Sequence, residues 1–267
     1  MSNNFINSHN INFANYRHSV IASSIGIYCT VSSSEFRLAL NTLSIAACSE
    51  YISYIIILIT DKNELDREFL SLYSFENFND KLHIACGDYG SGYEIPLSEG
   101  GYDQVSARND ALEIIYNKNV SWVMQHDADD IYDTNFYEKI CKNYDSYEAV
   151  MTECYTLNSL SSHIVTPKSI KYIYGKYLIS PHIRVWKKNL KLKFKKSKLA
   201  LRLHPNETRH CGVEFPNEMK LILIKKHSHY HLHRLLNKRH SGFLDTGETH
   251  TIILENYIKE KVHMLIQ

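Results

Sequence analysis

The chain is poor in the residues that punctuate or staple small folds: 10 glycines, 5 prolines and 2 tryptophans in 267 residues. Its six cysteines form no CxxC pair, and their spacing fits neither a zinc ribbon nor a disulfide framework, so the thiols imply a reducing compartment. Charge of one sign is lacking too. Lys and Arg total 30 against 29 Asp and Glu, for a formal net charge of +1, and no global field marks a nucleic-acid binder. The longest apolar run, Ile55 to Ile59, is far too short for a membrane span. The Asn-rich start lacks the apolar core of a signal peptide, and the expectation is a cytoplasmic protein.

What is present is a regular alternation of buried strands and amphipathic helices. Ile25 to Val31 is an apolar, β-branched run that stops at three serines. Phe36, Leu40, Leu43 and Ala47 recur at helical spacing within Glu35 to Ser49, and Tyr54 to Thr60 is apolar on both faces. Glu64 to Tyr73 reads as a helix and Lys81 to Cys86 as a third strand. Gly87 to Gly101, with five glycines, reads as a mobile loop whose Tyr89, Tyr93 and Tyr102 are candidates to stack on a sugar or base. Val105 to Asn117 is a further helix, and Val120 to Met124 a fourth strand. This β-α-β-α-β-α-β order predicts an α/β fold with a mostly parallel, doubly wound sheet and helices on both faces, whose ligands bind at the carboxyl ends of the strands. Later strands are expected at Tyr147 to Leu157, Ile183 to Trp186, Leu190 to Lys195 and Leu221 to Ile224. Helices are expected at Leu232 to Gly242 and from about Thr251 to Ile266. The division this implies is a flexible tail or late-docking cap over 1–20, a nucleotide-binding half over 21–145 and an acceptor-side half over 146–267 of the same compact domain.

The fourth strand runs straight into Asp127-Ala128-Asp129-Asp130. Carboxylates this close repel one another and are tolerated when a cation neutralises them or water solvates them. Hard dications such as Mg²⁺ or Mn²⁺ bridge such carboxylates to substrate phosphates, which makes the segment a metal–diphosphate candidate. The bland alternative is an acidic cap for the helix starting near Thr134. Downstream, His227, His229, His231 and His233 alternate after a buried strand and fall on one face if the strand continues. One of them touching metal or diphosphate, a zinc site and solvent-facing rings are the competing readings.

Ser106-Ala107-Arg108-Asn109-Asp110-Ala111-Leu112 followed by Trp122 to Asp130 resembles the ARN-x-AL … DADD signature of family 2 glycosyltransferases, which have the GT-A fold. Ile25 to Thr30 and Ile55 to Asp61 resemble that family's first two strands, so the likeness covers roughly residues 22–140. It implies that Thr30, Val31 and Ser32 line a nucleotide pocket and that Asp61 accepts hydrogen bonds from the base. Arg108 would hold the acidic loop or diphosphate, and Asp127 would sit near ribose and metal. Asp129 would ligate Mn²⁺ or Mg²⁺, with His229 or His227 as an additional ligand. Arg184 to Lys187 with His204 resembles a further block of the family, but the acid that should follow the histidine directly is displaced to Glu207. Glu207 is the first candidate general base, with Glu214 and Glu218 behind it. The implied reaction is transfer of a sugar from a nucleotide sugar, UDP-linked by preference, to a glycan or lipid-linked saccharide in bacterial surface-polysaccharide assembly. A metal-dependent phosphohydrolase and a GT-A-fold nucleotidyltransferase are the alternatives. The seven lysines between Lys187 and Lys198, or a basic helix after His231, would suit an anionic membrane surface; a solvated charged face is the plainer reading.

Overall fold

A computed structural model of the chain describes residues 7–9, 23–92, 95, 97–164, 172–174, 177–179, 182–196, 211–213, 215–216, 218–233, 235–236 and 249–266. The first half contains β1 (Asn7–His9), β2 (Ile25–Val31), α1 (Phe36–Ala47), β3 (Ile52–Ile59), α2 (Arg67–Ser71), β4 (Leu82–Cys86), α3 (Gln104–Tyr116), β5 (Trp122–Gln125), β6 (Asp130–Tyr132) and α4 (Thr134–Asn143). The second half contains β7 (Ala149–Ser159), β8 (Ser162–Ile164), β9 (Tyr172–Tyr174), β10 (Tyr177–Ile179), β11 (His182–Lys187), β12 (Phe194–Lys196), β13 (Cys211–Val213), β14 (Leu221–His231), β15 (Thr249–Thr251) and α5 (Asn256–Ile266).

Among the described residues one large sheet runs in the order β1-β4-β3-β2-β5-β11-β7-β14-β6, with β8 and β15 attached at β7. Strands β4, β3, β2 and β5 are parallel, as right-handed crossovers through helices require. Strand β11 then enters antiparallel between β5 and β7, and β14 lies parallel to β7. The fold is the α/β class expected from the sequence, with a mostly parallel central core. Asn7–His9, inside the N-terminal segment, adds an antiparallel strand to the β4 edge.

The two faces of the sheet are covered separately. Phe36, Ala39, Leu40 and Leu43 of α1, with Phe136 and Ile140 of α4, pack on one face against Ile25, Ile27, Ile55 and Ile57. Ala107, Ala111, Leu112 and Ile115 of α3 pack on the other against Tyr28, Ile56, Leu58 and Val123. Period-2 alternation sends successive residues of β2 and β3 to opposite layers, which is why both strands read as continuous apolar runs. A third cluster joins α5 to the β6–β14 edge through Ile131, Leu157, Tyr230, Ile258 and Val262. Lys81 closes the exit of α1, its ammonium donating to the carbonyls of Ala47 and Ser49 at 2.7 and 2.9 Å.

Several expected elements take different forms. Helix α2 covers only Arg67–Ser71 of the stretch read as Glu64 to Tyr73. The Leu/Lys alternation after Leu190 survives as alternating burial, Leu192 and Phe194 inward. Its hydrogen-bonded strand begins only at Phe194, because Lys191 adopts a left-handed conformation with φ of 48°. Strand β14 extends to His231, and Leu236 N then donates to Leu232 O at 3.1 Å in a turn; most of the stretch expected to be helical, Leu232 to Gly242, lies outside the described residues. The glycine-rich loop is clasped at its base: Asp103 N donates to Tyr89 O, Ser91 N to Gly100 O and Tyr102 N to Gly92 O. Gly90 sits at φ of 82°, where a Cβ would meet Gly101 O at 2.4 Å, so this turn requires glycine. Among the described residues no helix is long and apolar enough to cross a membrane. Cys29, Cys48, Cys86, Cys141 and Cys154 are free thiols.

Candidate functional site

The carboxyl ends of β2, β3 and β5 converge on one rim of the sheet, and each carries expected site residues. Asp61, just past β3, is exposed, and its carboxylate accepts from Ser33 N at 2.7 Å and Ser33 Oγ at 2.9 Å. That pair ties the loop after β2 to the end of β3. Thr30 is half-buried. The Val31 carbonyl is taken up by Thr60 N and Thr60 Oγ1, and Ser32 Oγ bonds Ser34 Oγ at 2.8 Å.

The ARN segment divides its labour along α3. Ala107 is fully buried against the sheet. Arg108 places its guanidinium 3.5 Å from Asp127 Oδ1 and over the Phe194 ring at 5.1 Å. Asn109 clamps the backbone of β12, accepting from Phe194 N at 2.7 Å and donating to Phe194 O at 3.1 Å. Asp103 starts the helix by accepting from Ser106 N. Tyr89 and Tyr102, candidates for sugar stacking, are instead buried, and Tyr89 donates to Asp110 at 2.8 Å.

The acidic cluster is compensated from within the protein. Asp127 accepts from Arg184 at 2.6 Å on Oδ2 and from Gln125 at 3.0 Å on Oδ1, with Arg108 beyond. Burial pushes its carboxyl up, but the two guanidinium charges and the amide hold it well below the usual carboxylate range despite Asp130. Asp130 is wholly buried. Its Oδ1 receives His229 Nε2 at 3.0 Å and His231 Nδ1 at 2.7 Å, and its Oδ2 lies 3.8 Å from Arg184. Burial again opposes ionisation, and the two imidazole donors and Arg184 outweigh it, so Asp130 stays an anion. It does not cap the following helix. Asp133 does, accepting from Asn135 N at 3.0 Å.

Two rings on one oxygen decide the tautomers. A carboxylate only accepts, so His229 carries its proton on Nε2, and its Nδ1 accepts from Thr152 Oγ1 at 3.2 Å. Both nitrogens of His229 are thereby committed. The ring is stacked on Tyr132 at 4.4 Å and is kept neutral chiefly by burial. The expected metal ligand His229 is therefore a buried support for Asp130. His231 lies nearer the rim, 3.6 Å from Asp129 Oδ1. Burial opposes its charge, but Asp129 and Asp130 push its pKa up to about 9.

Among the described residues, Asp129, His231 and His233 bring one donor atom each within 4.8 Å of one another. Two imidazoles and a carboxylate are a chemically sound set for a divalent ion. Asp127 and His229 are not in that set. The side chain of His227, and Glu207 and Glu214, lie outside the described residues, whereas Glu218 is exposed on a turn. Arg184, His231 and His233 stand in segments that the sequence singles out. Their roles depend on β11 and β14 arriving beside β5 and β6, which local periodicity does not encode. A cleft of about 670 Å³ at the opposite end of the sheet, lined by Lys187, Lys188, Lys191, Lys220, Asp145 and Glu148, shares none of these residues. It faces the starts of β5, β7 and β14, where α/β sheets do not place their chemistry.

No family model matches the chain, and no curated protein matches it. Among solved structures it is similar to the 1–349 segment of S. aureus TarS in complex with UDP-GlcNAc, at 12% identity and a TM-score of 0.47, covering 91% of this chain and 65% of that one. The complex of the same segment with UDP gives 11% identity and a TM-score of 0.48, over 78% and 60%. The 4-diphosphocytidyl-2C-methyl-D-erythritol synthase of Anaerococcus prevotii gives 14% identity and a TM-score of 0.42, over 76% and 87%. The chain thus spans under two thirds of the TarS segment in both of these complexes.

Proposed function

We propose that this chain is a metal-dependent glycosyltransferase of the GT-A type. It would move a hexosyl or N-acetylhexosaminyl group from a UDP-sugar to a glycan or lipid-linked saccharide acceptor. The observation that carries this reading is the assembly, on one rim of a mostly parallel sheet, of Asp61, Arg108, Asp127 and the Asp129–His231–His233 donor set. In open α/β sheets that rim is where nucleotides bind.

Each residue has a task that its surroundings permit. Asp61 is oriented by Ser33 and exposed, and its remaining lone pairs suit the N–H edge of a base. Asp127, fixed between Arg108 and Arg184, is a rigid acceptor for ribose hydroxyls. Arg108 presents a planar fork suited to diphosphate oxygens. Asp129 with His231 and His233 would hold a dication, Mn²⁺ or Mg²⁺, whose chemistry is to neutralise charge on the departing diphosphate. An inverting transfer needs a base to take the acceptor hydroxyl's proton, and Glu207 and Glu214 remain the proposed candidates. The lysines from Lys187 onward are proposed to rest against an anionic membrane when the acceptor is lipid-linked.

Calorimetric titration with UDP, with and without Mn²⁺, tests the reading. Binding that requires Mn²⁺ supports it, and metal-independent binding or none removes it.

A further inference from the structure

The end of the sheet away from the rim holds the cleft of about 670 Å³, a volume within the range of small-molecule sites. Four chain segments wall it: Ser121 ahead of β5, Glu148 ahead of β7, Lys187 to Lys191 at the end of the antiparallel β11, and Lys220 ahead of β14. Main chain joins them. Lys188 N donates to Ser121 O at 3.0 Å, Lys187 N to Glu148 O at 2.8 Å and Glu148 N to Lys220 O at 2.8 Å. The walls thus continue the hydrogen bonding of the sheet, which fixes where their side chains start.

Four lysines and two acids line this cleft. Lys187 is paired with Asp145, and its ammonium lies 4.4 Å over the Trp122 ring. That leaves the ammonium groups of Lys188, Lys191 and Lys220 against the one carboxylate of Glu148, which accepts from Lys220 N at 2.8 Å. Two of the three are held by partners that do not cancel their charge. Lys188 Nζ donates to Lys118 O at 2.5 Å, and Lys191 Nζ stands 5.8 Å over the Tyr116 ring. A carbonyl and a π face locate an ammonium and leave it its positive charge, and an ammonium has three donors to give. Lys191 also adopts its left-handed conformation here, with its N–H on Lys188 O at 3.1 Å. Backbone strain of that kind in a residue with a side chain gathers at ligand sites. Lys187 lies opposite Trp122, five residues before Asp127, so cleft and rim stand roughly 15 Å apart along the sheet.

We infer that the cleft is a phosphate-binding site separate from the rim, in which Lys188, Lys191 and Lys220 supply the cationic contacts. Ammonium groups bind phosphate as point charges from several directions, which suits a cleft walled on several sides. A soluble phosphorylated molecule and a lipid head group present the same oxyanion to it. The inference does not rest on the transferase reading, because it uses no residue of the rim.

The test uses the full chain, stripped with chelator so that no dication carries phosphate to the rim. Pyrophosphate and glycerol phosphate are titrated by calorimetry, and phosphatidylglycerol vesicles are tested by cosedimentation. The variant is Lys191→Gly with Lys220→Ala. Both lysines are exposed and glycine accepts the left-handed turn, so the melting temperature should not fall. Binding that drops at least about tenfold in this variant supports the site, each lost charged contact being worth about a factor of ten or more. Soluble phosphates that bind while vesicles do not assign a soluble source. Vesicles that bind and are displaced by pyrophosphate assign the head group. Binding that the double variant keeps in full, vesicle binding that pyrophosphate does not displace, or no binding of any probe at about 1 mM overturns the inference.

Discussion

Arg184 donates to Asp127 across 2.6 Å from a strand that runs antiparallel to the one preceding Asp127. The same guanidinium group lies 3.8 Å from Asp130, so one cation from the second half of the chain serves two carboxylates of the first. Both acids are ionised, Asp130 wholly buried and Asp127 half-buried beside it, and a buried charge is tolerable only with a counter-charge. Arg184→Met should therefore cost about 3–5 kcal/mol in urea unfolding, since it strands the acids without replacing them. Arg184→Lys keeps a charge but not the fork, and should cost less. A Met variant as stable as the parent would mean that water or Arg108 already compensates the cluster.

The histidines around Asp130 predict a stability maximum with opposite causes on its two sides. His126 is buried and pushed down to about 4 by desolvation, against the attraction of Asp130 and Asp127. Unfolded, it titrates at about 6.5. The folded value is the lower one, so its contribution is full above about pH 6.5 and is lost as pH falls toward 4, by about 3 kcal/mol. His229 is also lowered and acts in the same direction. His231, at about 9, has a folded value above the unfolded one. Its contribution is full below about pH 6.5 and is lost as pH rises through 9, again by about 3 kcal/mol. Metal-free unfolding curves at pH 5, 6.5 and 8.5 should peak at the middle value. His126→Gln should flatten the acid limb alone, and an unchanged acid limb in that variant would remove this assignment.

How far local signals reach is clearest at β5. Its apolar run, the acids behind it and the ARN segment on the preceding helix are all legible in the sequence, and each takes its expected place. The partners of those acids are not local. Arg184 reaches Asp127 only because β11 inserts antiparallel between β5 and β7, and no periodicity specifies which strand a strand will pair with. The histidine alternation is legible as a face, but the choice among its members is not. The register of β14 shifts between Ile224 and His229, and its pairing with β6 then sets His229 opposite Tyr132 and His231 opposite Asp130. A ring one step deeper becomes core, and the next two residues of the same parity meet Asp129.

Asp61 is separable from that cluster. It is exposed, and its carboxylate is held by the backbone and hydroxyl of Ser33, so Asp61→Ala should leave the melting temperature nearly unchanged. A charged acceptor contributes about 1.5–3 kcal/mol to a hydrogen bond, so the same variant should weaken UDP binding by roughly ten- to a hundredfold. Ser33→Ala, which removes the hydroxyl bond to Asp61 and keeps the backbone one, should show a smaller loss. Calorimetry on the two variants decides this, and an Asp61→Ala protein with parental UDP affinity would take the base-contact role away from it.

Asp129 is the sharpest test of the site, because it is the one acid of the three that the metal donor set includes. Its side chain is 12% exposed, and His231 lies 3.6 Å away. Asp129→Asn preserves shape and removes one negative charge. The fold should persist, with parental far-UV circular dichroism, because Thr42 Oγ1 on Ala128 O and Leu232 N on Asp129 O hold the loop through main-chain carbonyls that the substitution leaves in place. Stability below pH 9 should fall in part, since Asp129 is the largest single charge holding His231 protonated, while the shorter hydrogen bond of His231 to Asp130 remains. Mn²⁺-dependent UDP binding should fall at least about tenfold, the loss expected for one metal ligand or its orienting partner. Asp127→Asn should destabilise the protein more, by leaving Arg184 and Arg108 short of their counter-charge. If Asp129→Asn keeps full Mn²⁺ dependence while Asp127→Asn loses it without destabilisation, the roles of the two acids are the reverse of those proposed.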